Sequence, residues 1–86
     1  MQYYRLPVQN PPTMNYKKHI VIDPLVRFGK PSIKGTRITV SDVLCWLAAG
    51  MSIEEIIEDY PTLTKEHIYA CLAYSADKER RITTTV

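Results

Sequence analysis

Proline and glycine cut this chain into short pieces, and those pieces limit what it can become. Pro24 closes an apolar stretch, Gly29 and Gly35 punctuate the next one, Gly50 follows a helical pattern and Pro61 ends another. Three of the six prolines fall within residues 1–18, which show no periodicity and read as an extended arm rich in tyrosine. Met14 is a possible alternative start. Between the breaks, residues 19–23 (HIVID) read as a short strand. Strands over 30–34 and 37–40 point Ile33, Ile38 and Val40 inward and Lys30, Lys34, Arg37 and Thr39 outward. The expected result is a small hairpin with a basic outer face.

Three helical patterns follow. The first starts near Ser41, carries Val43, Leu44, Leu47 and Ala48 on one side, and places Gly50 just past its end. The second opens with a capping box, Ser52 to Glu55, and its stripe is Ile53, Ile56 and Ile57. The third starts at Thr64, with Leu63 and Ile68 spaced as a hydrophobic staple. Its core stripe is read as Ile68, Cys71, Leu72 and Ser75, which leaves Glu66, Ala70, Ala73 and Asp77 opposite. The fold class expected is mostly α with a small N-terminal β-hairpin, tri-helical and helix-turn-helix or winged-helix-like. Its parts are an arm (1–18), one domain (19–80: hairpin 19–40, helices 41–80) and a short tail (81–86).

A chain of 86 residues suits a single domain with a marginal core; at this size roughly 40% of the unfolded surface stays exposed. A homodimer or another partner is therefore expected. The composition, 45% hydrophobic and 23% charged, fits a globular protein better than a disordered or membrane one. No apolar run approaches the roughly 20 residues of a spanning helix, and no signal-peptide segment is seen, so a cytoplasmic protein is expected. Cys45 and Cys71 sit inside helical patterns and read as two buried thiols. With His19 and His67 they are scattered singly, so no metal site or cofactor is expected.

Catalytic patterns are missing. The run Gly29-Lys-Pro-Ser-Ile-Lys-Gly35-Thr36 is one residue too long for a phosphate-binding loop and has no Lys after its second glycine. Glu54, Glu55, Glu58 and Asp59 crowd one helix, whereas a two-metal nuclease needs acids converging from several elements. No nucleophile set has a recognisable spacing, so neither an enzyme nor a small-molecule substrate is expected.

Binding is the better reading. The second and third helices, linked by residues 60–63, have helix-turn-helix proportions. Acids on the outer face of the third helix are poor equipment for phosphates. Candidate DNA contacts are therefore Arg27, Lys30, Lys34 and Arg37 on the hairpin, with Lys65 and His67 at the start of the third helix. Candidate protein contacts are Trp46 as an anchor, the acidic Glu54, Glu55 and Glu58, and the small Ala70 and Ala73. The net charge of +2 hides a division: residues 1–40 carry +6 and residues 41–76 carry −5.

Ile22-Asp-Pro24, Gly29-Lys-Pro31, Ile33-Lys-Gly-Thr-Arg37 with Val40, Ala49-Gly50, Ser52-Ile-Glu-Glu-Ile56 and Asp59-Tyr-Pro-Thr-Leu-Thr64 together resemble the family called domain of unknown function 433. The resemblance runs from about His19 to Ala76. It implies a small prokaryotic protein with a helix-turn-helix or winged-helix-like fold. It further implies an antitoxin of the VapB type that neutralises a PIN-like nuclease and represses its own operon. The other reading open at this point is an interaction or dimerisation module that binds no DNA.

Overall fold

The computed structural model describes residues 15–82. Most of the arm and residues 83–86 of the tail lie outside them. A single 3-10 turn at Tyr16–Lys18 leads into β1 (Ile20–Val21), and β2 (Ser32–Ile33), α1 (Val40–Ala48), α2 (Ile53–Asp59) and α3 (Lys65–Ile82) follow. The domain is mostly helical with a small antiparallel strand pair near its N-terminal end, as the sequence pattern predicts.

Both strands fall inside expected ones, 19–23 and 30–34, but their pairing is not the one expected. β2 pairs with β1, Ile20 opposite Ile33 and Val21 opposite Ser32. Residues 37–40 contribute only an isolated bridge between Ser32 and Thr39 and a bond from the Ile33 N–H to the Ile38 carbonyl. A ladder has no room to grow there, because Thr39 is already the N-cap of α1. Its hydroxyl accepts the Asp42 N–H at 2.9 Å, while Asp42 Oδ2 accepts the Thr39 N–H at 3.1 Å. Thr39 therefore points inward, 1% exposed, where an outward position was expected.

The same device opens all three helices. Ser52 and Glu55 form the expected box on α2. On α3 the Thr64 hydroxyl accepts the His67 N–H at 3.3 Å, and His67 Nδ1 accepts the Thr64 N–H at 3.1 Å, so an imidazole stands where a carboxylate is usual. Gly50 takes φ +101° after the end of α1, the left-handed position that only glycine adopts without strain.

The core gathers Ile20, Ile33, Val40, Val43, Ile56, Leu63, Ile68, Ala70 and Cys71. α3 is its axis and packs on α1, α2, β1 and the Tyr16–Lys18 turn. That N-terminal segment rotates the buried arc of α3 away from the expected stripe. Tyr16 packs edge-on against Tyr74 at 5.5 Å and donates its hydroxyl to Asp77. Ala70 and Ala73, each one turn before Tyr74 and Asp77, are consequently buried at 0% and 7% exposure, and Leu72 is left outside. Among the described residues no helix is long and apolar enough to cross a membrane.

Candidate partner-docking surface

The connection between β1 and β2 holds the most unusual backbone among the described residues. Asp23 starts it as a turn, accepting the Leu25 N–H on Oδ1 at 2.9 Å and the Val26 N–H on its carbonyl at 2.8 Å. Arg27, Phe28 and Gly29 then follow one another at φ +50°, +60° and +80°. Bonds from the Gly29 N–H to the Val26 carbonyl and from the Lys30 N–H to the Arg27 carbonyl, both 3.1 Å, close this left-handed turn. Glycine adopts such angles freely, but for Arg and Phe each left-handed residue costs about 1–2 kcal/mol.

No packing offsets that strain. Phe28 is 94% exposed, Leu25 88% and Ile22 61%. The turn is instead held from below by Arg27, whose guanidinium donates to the Arg37 carbonyl at 2.8 Å and to Asp42 Oδ2 at 3.2 Å. Left-handed backbone thus lifts an aromatic ring into water, with the Arg27 hydrogen bonds beneath it. Sequence reasoning passed over Leu25 and Phe28; their signal was apolar side chains set inside a Pro/Gly-rich basic segment.

The candidate DNA contacts divide. Lys30 and Arg37 are exposed beside this turn. Lys34 is exposed at the other end of β2, where its N–H donates to the His19 carbonyl. None of the three forms an ion pair among the described residues. Arg27 is committed to Asp42 and Arg37. Lys65 is exposed at the start of α3, remote in sequence from the hairpin cations. His67 is half-buried, caps α3 and packs edge-on against His19 with ring centroids 5.4 Å apart. Burial and the neighbouring His19 hold its pKa below the ordinary histidine value, against an opposing pull from Glu66.

The candidate protein contacts divide too. Trp46 is half-buried and stacks on Tyr60, centroids 4.4 Å apart and planes 11° from parallel, which joins α1 to the end of α2. Glu54 and Glu58 are exposed on α2, and Glu55 is exposed but occupied by its cap. Ala70 and Ala73, expected on an open face, lie inside the chain and offer nothing to a partner. Cys45 is exposed, against expectation, whereas Cys71 is buried and its thiol is pushed up to about 12 by desolvation. An open groove of about 300 Å³ lies between Tyr16, Lys17, Ile20, Ile22, Tyr74 and Lys78. Among the described residues no three His, Cys, Asp or Glu side chains come together as metal ligands.

Comparison with known proteins gives the family. The family model described as "Protein of unknown function (DUF433)" matches residues 20–75. The chain belongs to the DUF433 family. The matched DUF433 segment starts at β1 and takes in the left-handed turn, all three capped helix starts and α3 as far as Ser75. A crystal structure of a DUF433 member protein from Anabaena variabilis ATCC 29413 is similar at a TM-score of 0.68, with 29% identity over 83% of this chain and 74% of that one. The "Uncharacterized protein y4eO" of Sinorhizobium fredii (strain NBRC 101917 / NGR234) is 36% identical over 56 residues, 65% of this chain. The match spans about a quarter of that relative, 25% of its length.

Proposed function

We propose that this chain is a small, cytoplasmic, non-enzymatic binding protein that docks on a partner protein through the turn around Phe28. The partner we infer is a PIN-like nuclease, which makes the chain the antitoxin of a toxin–antitoxin pair. One observation carries the docking element: Phe28, 94% exposed, on a left-handed turn whose strain serves no internal packing. The family resemblance supplies the nuclease.

The test is co-expression with a nuclease encoded beside this gene. The wild type should restore growth and co-purify with the nuclease. Leu25→Asp with Phe28→Asp should weaken that complex by about tenfold or more, as expected for an aromatic anchor. Failure of the wild type to inhibit or bind the nuclease overturns the reading.

A second reading, operator binding, is favoured by the exposure of Lys30, Lys34 and Arg37 on one short segment. Its affinity for promoter DNA should fall steeply with salt, and Lys34→Glu with Arg37→Glu should abolish it. Absent or salt-independent binding leaves the protein–protein reading alone.

A further inference from the structure

α3 presents to water a face that neither the core nor the docking turn uses. Lys65, Tyr69, Leu72, Ala76 and Glu79 recur at alternating steps of four and three, which lines them along one side of the helix. All five are exposed, Tyr69 at 48% and Leu72 at 40%. Two large apolar side chains one turn apart, left in water by a domain with a small core, ask for a cover.

The order of the residues says what the cover is. Leu72 stands midway, equally far in sequence from Lys65 and Glu79, with Tyr69 one turn before it and Ala76 one turn after. Two parallel copies would set lysine on lysine and glutamate on glutamate. Two antiparallel copies about a dyad at Leu72 set each Lys65 against the second copy's Glu79. They also set each bulky Tyr69 against the second copy's small Ala76, and Leu72 against itself. The stripe is thus complementary to itself in charge and in size, which is the requirement of an isologous two-fold interface.

We propose that α3 forms an antiparallel, two-fold contact between two copies of this chain, centred on Leu72. One helix face per copy is smaller than a standard interface of roughly 1,600 Å², so the association depends on concentration. The proposal goes beyond the docking reading and does not depend on it, because none of the five residues lies between Ile22 and Arg37.

Sedimentation velocity of the full chain alone, from micromolar to millimolar protein, tests it. A reversible monomer–dimer equilibrium is expected, and Leu72→Asp should raise its midpoint by about tenfold or more. Lys65→Glu and Glu79→Lys should each weaken the dimer, and the double exchange should restore it. An acid near the start of a helix and a base near its end both favour the helix, so unfolding does not account for a loss in the single variants. Circular dichroism of Leu72→Asp should match the wild type. A monomer at every concentration, a dimer indifferent to Leu72→Asp, or a double exchange no better than the singles overturns the proposal. Any of these would leave the face for an unlike protein.

Discussion

Asp42 Oδ2 accepts the Arg27 guanidinium at 3.2 Å and, on the same oxygen, the Thr39 N–H at 3.1 Å. One carboxylate thereby closes the first turn of α1 and anchors the segment that presents Phe28. Helix cap and left-handed turn share a single foundation.

That foundation should be acid-sensitive. Burial pushes the Asp42 carboxyl up, but hydrogen bonds with Thr39 and the Arg27 guanidinium outweigh it and hold the group below the ordinary value of 3.8. A carboxylate depressed on folding stabilises fully above its unfolded value and loses that contribution as pH falls through its folded value. Thermal melts should show Asp42→Asn less stable than wild type at neutral pH. The gap should close below about pH 4.

His67 gives a second pH dependence. Its Nδ1 accepts the Thr64 N–H, so the neutral imidazole is the capping form and protonation breaks the cap. A histidine depressed on folding contributes fully above its unfolded value, 6.5, and loses that as pH falls through the folded value. Stability should therefore drop as pH is lowered through that window. His67→Gln, which keeps an acceptor at the same helix position, should flatten the drop in melts recorded across it.

Phe28→Gly separates strain from packing. Relief of the left-handed angle, about 1–2 kcal/mol, is set against the unfolded-state entropy of glycine, about 0.5–1 kcal/mol. The melting temperature should hold or rise. A packed phenylalanine cut back this far would lose about 3–5 kcal/mol. The same variant should lose partner binding, measured by co-purification.

Trp46 is the single tryptophan, so its fluorescence reports the stack with Tyr60. Tyr60→Ala should red-shift the emission as water reaches the indole. The lost ring pair should lower stability by about 0.5–1.5 kcal/mol in urea titration.

Much of the fold was legible because it rests on neighbours in sequence. The Ser52–Glu55 box, the glycine after α1 and the start of α3 at Thr64 each depend on residues within one turn. Thr39 and Asp42 carry the same spacing, yet reading residues 37–40 as a strand turned Thr39 outward and hid the cap. His67 escaped because an imidazole seldom takes the place of Glu or Gln at that position. Around the candidate site, the exposed Lys30, Lys34 and Arg37 stood out from charge alone. Leu25 and Phe28 were not, since no local rule gives Arg and Phe left-handed angles; the Arg27 bridge to Asp42 spans fifteen residues.

Residue order along the chain was enough to place three helices, the second with its capping box, after a short basic strand region, and to split charge between the two halves. Those outcomes follow from short-range backbone chemistry. Which side of α3 is buried, which strands pair and which aromatic ring stands in water were settled by packing. The segment from Tyr16 to Val21 lies across α3, and Tyr16 reaches Asp77 over a separation of 61 residues. That contact buries Ala70 and Ala73 and leaves Tyr69 and Leu72 exposed, because a helix wrapped on three sides shows water only the fourth.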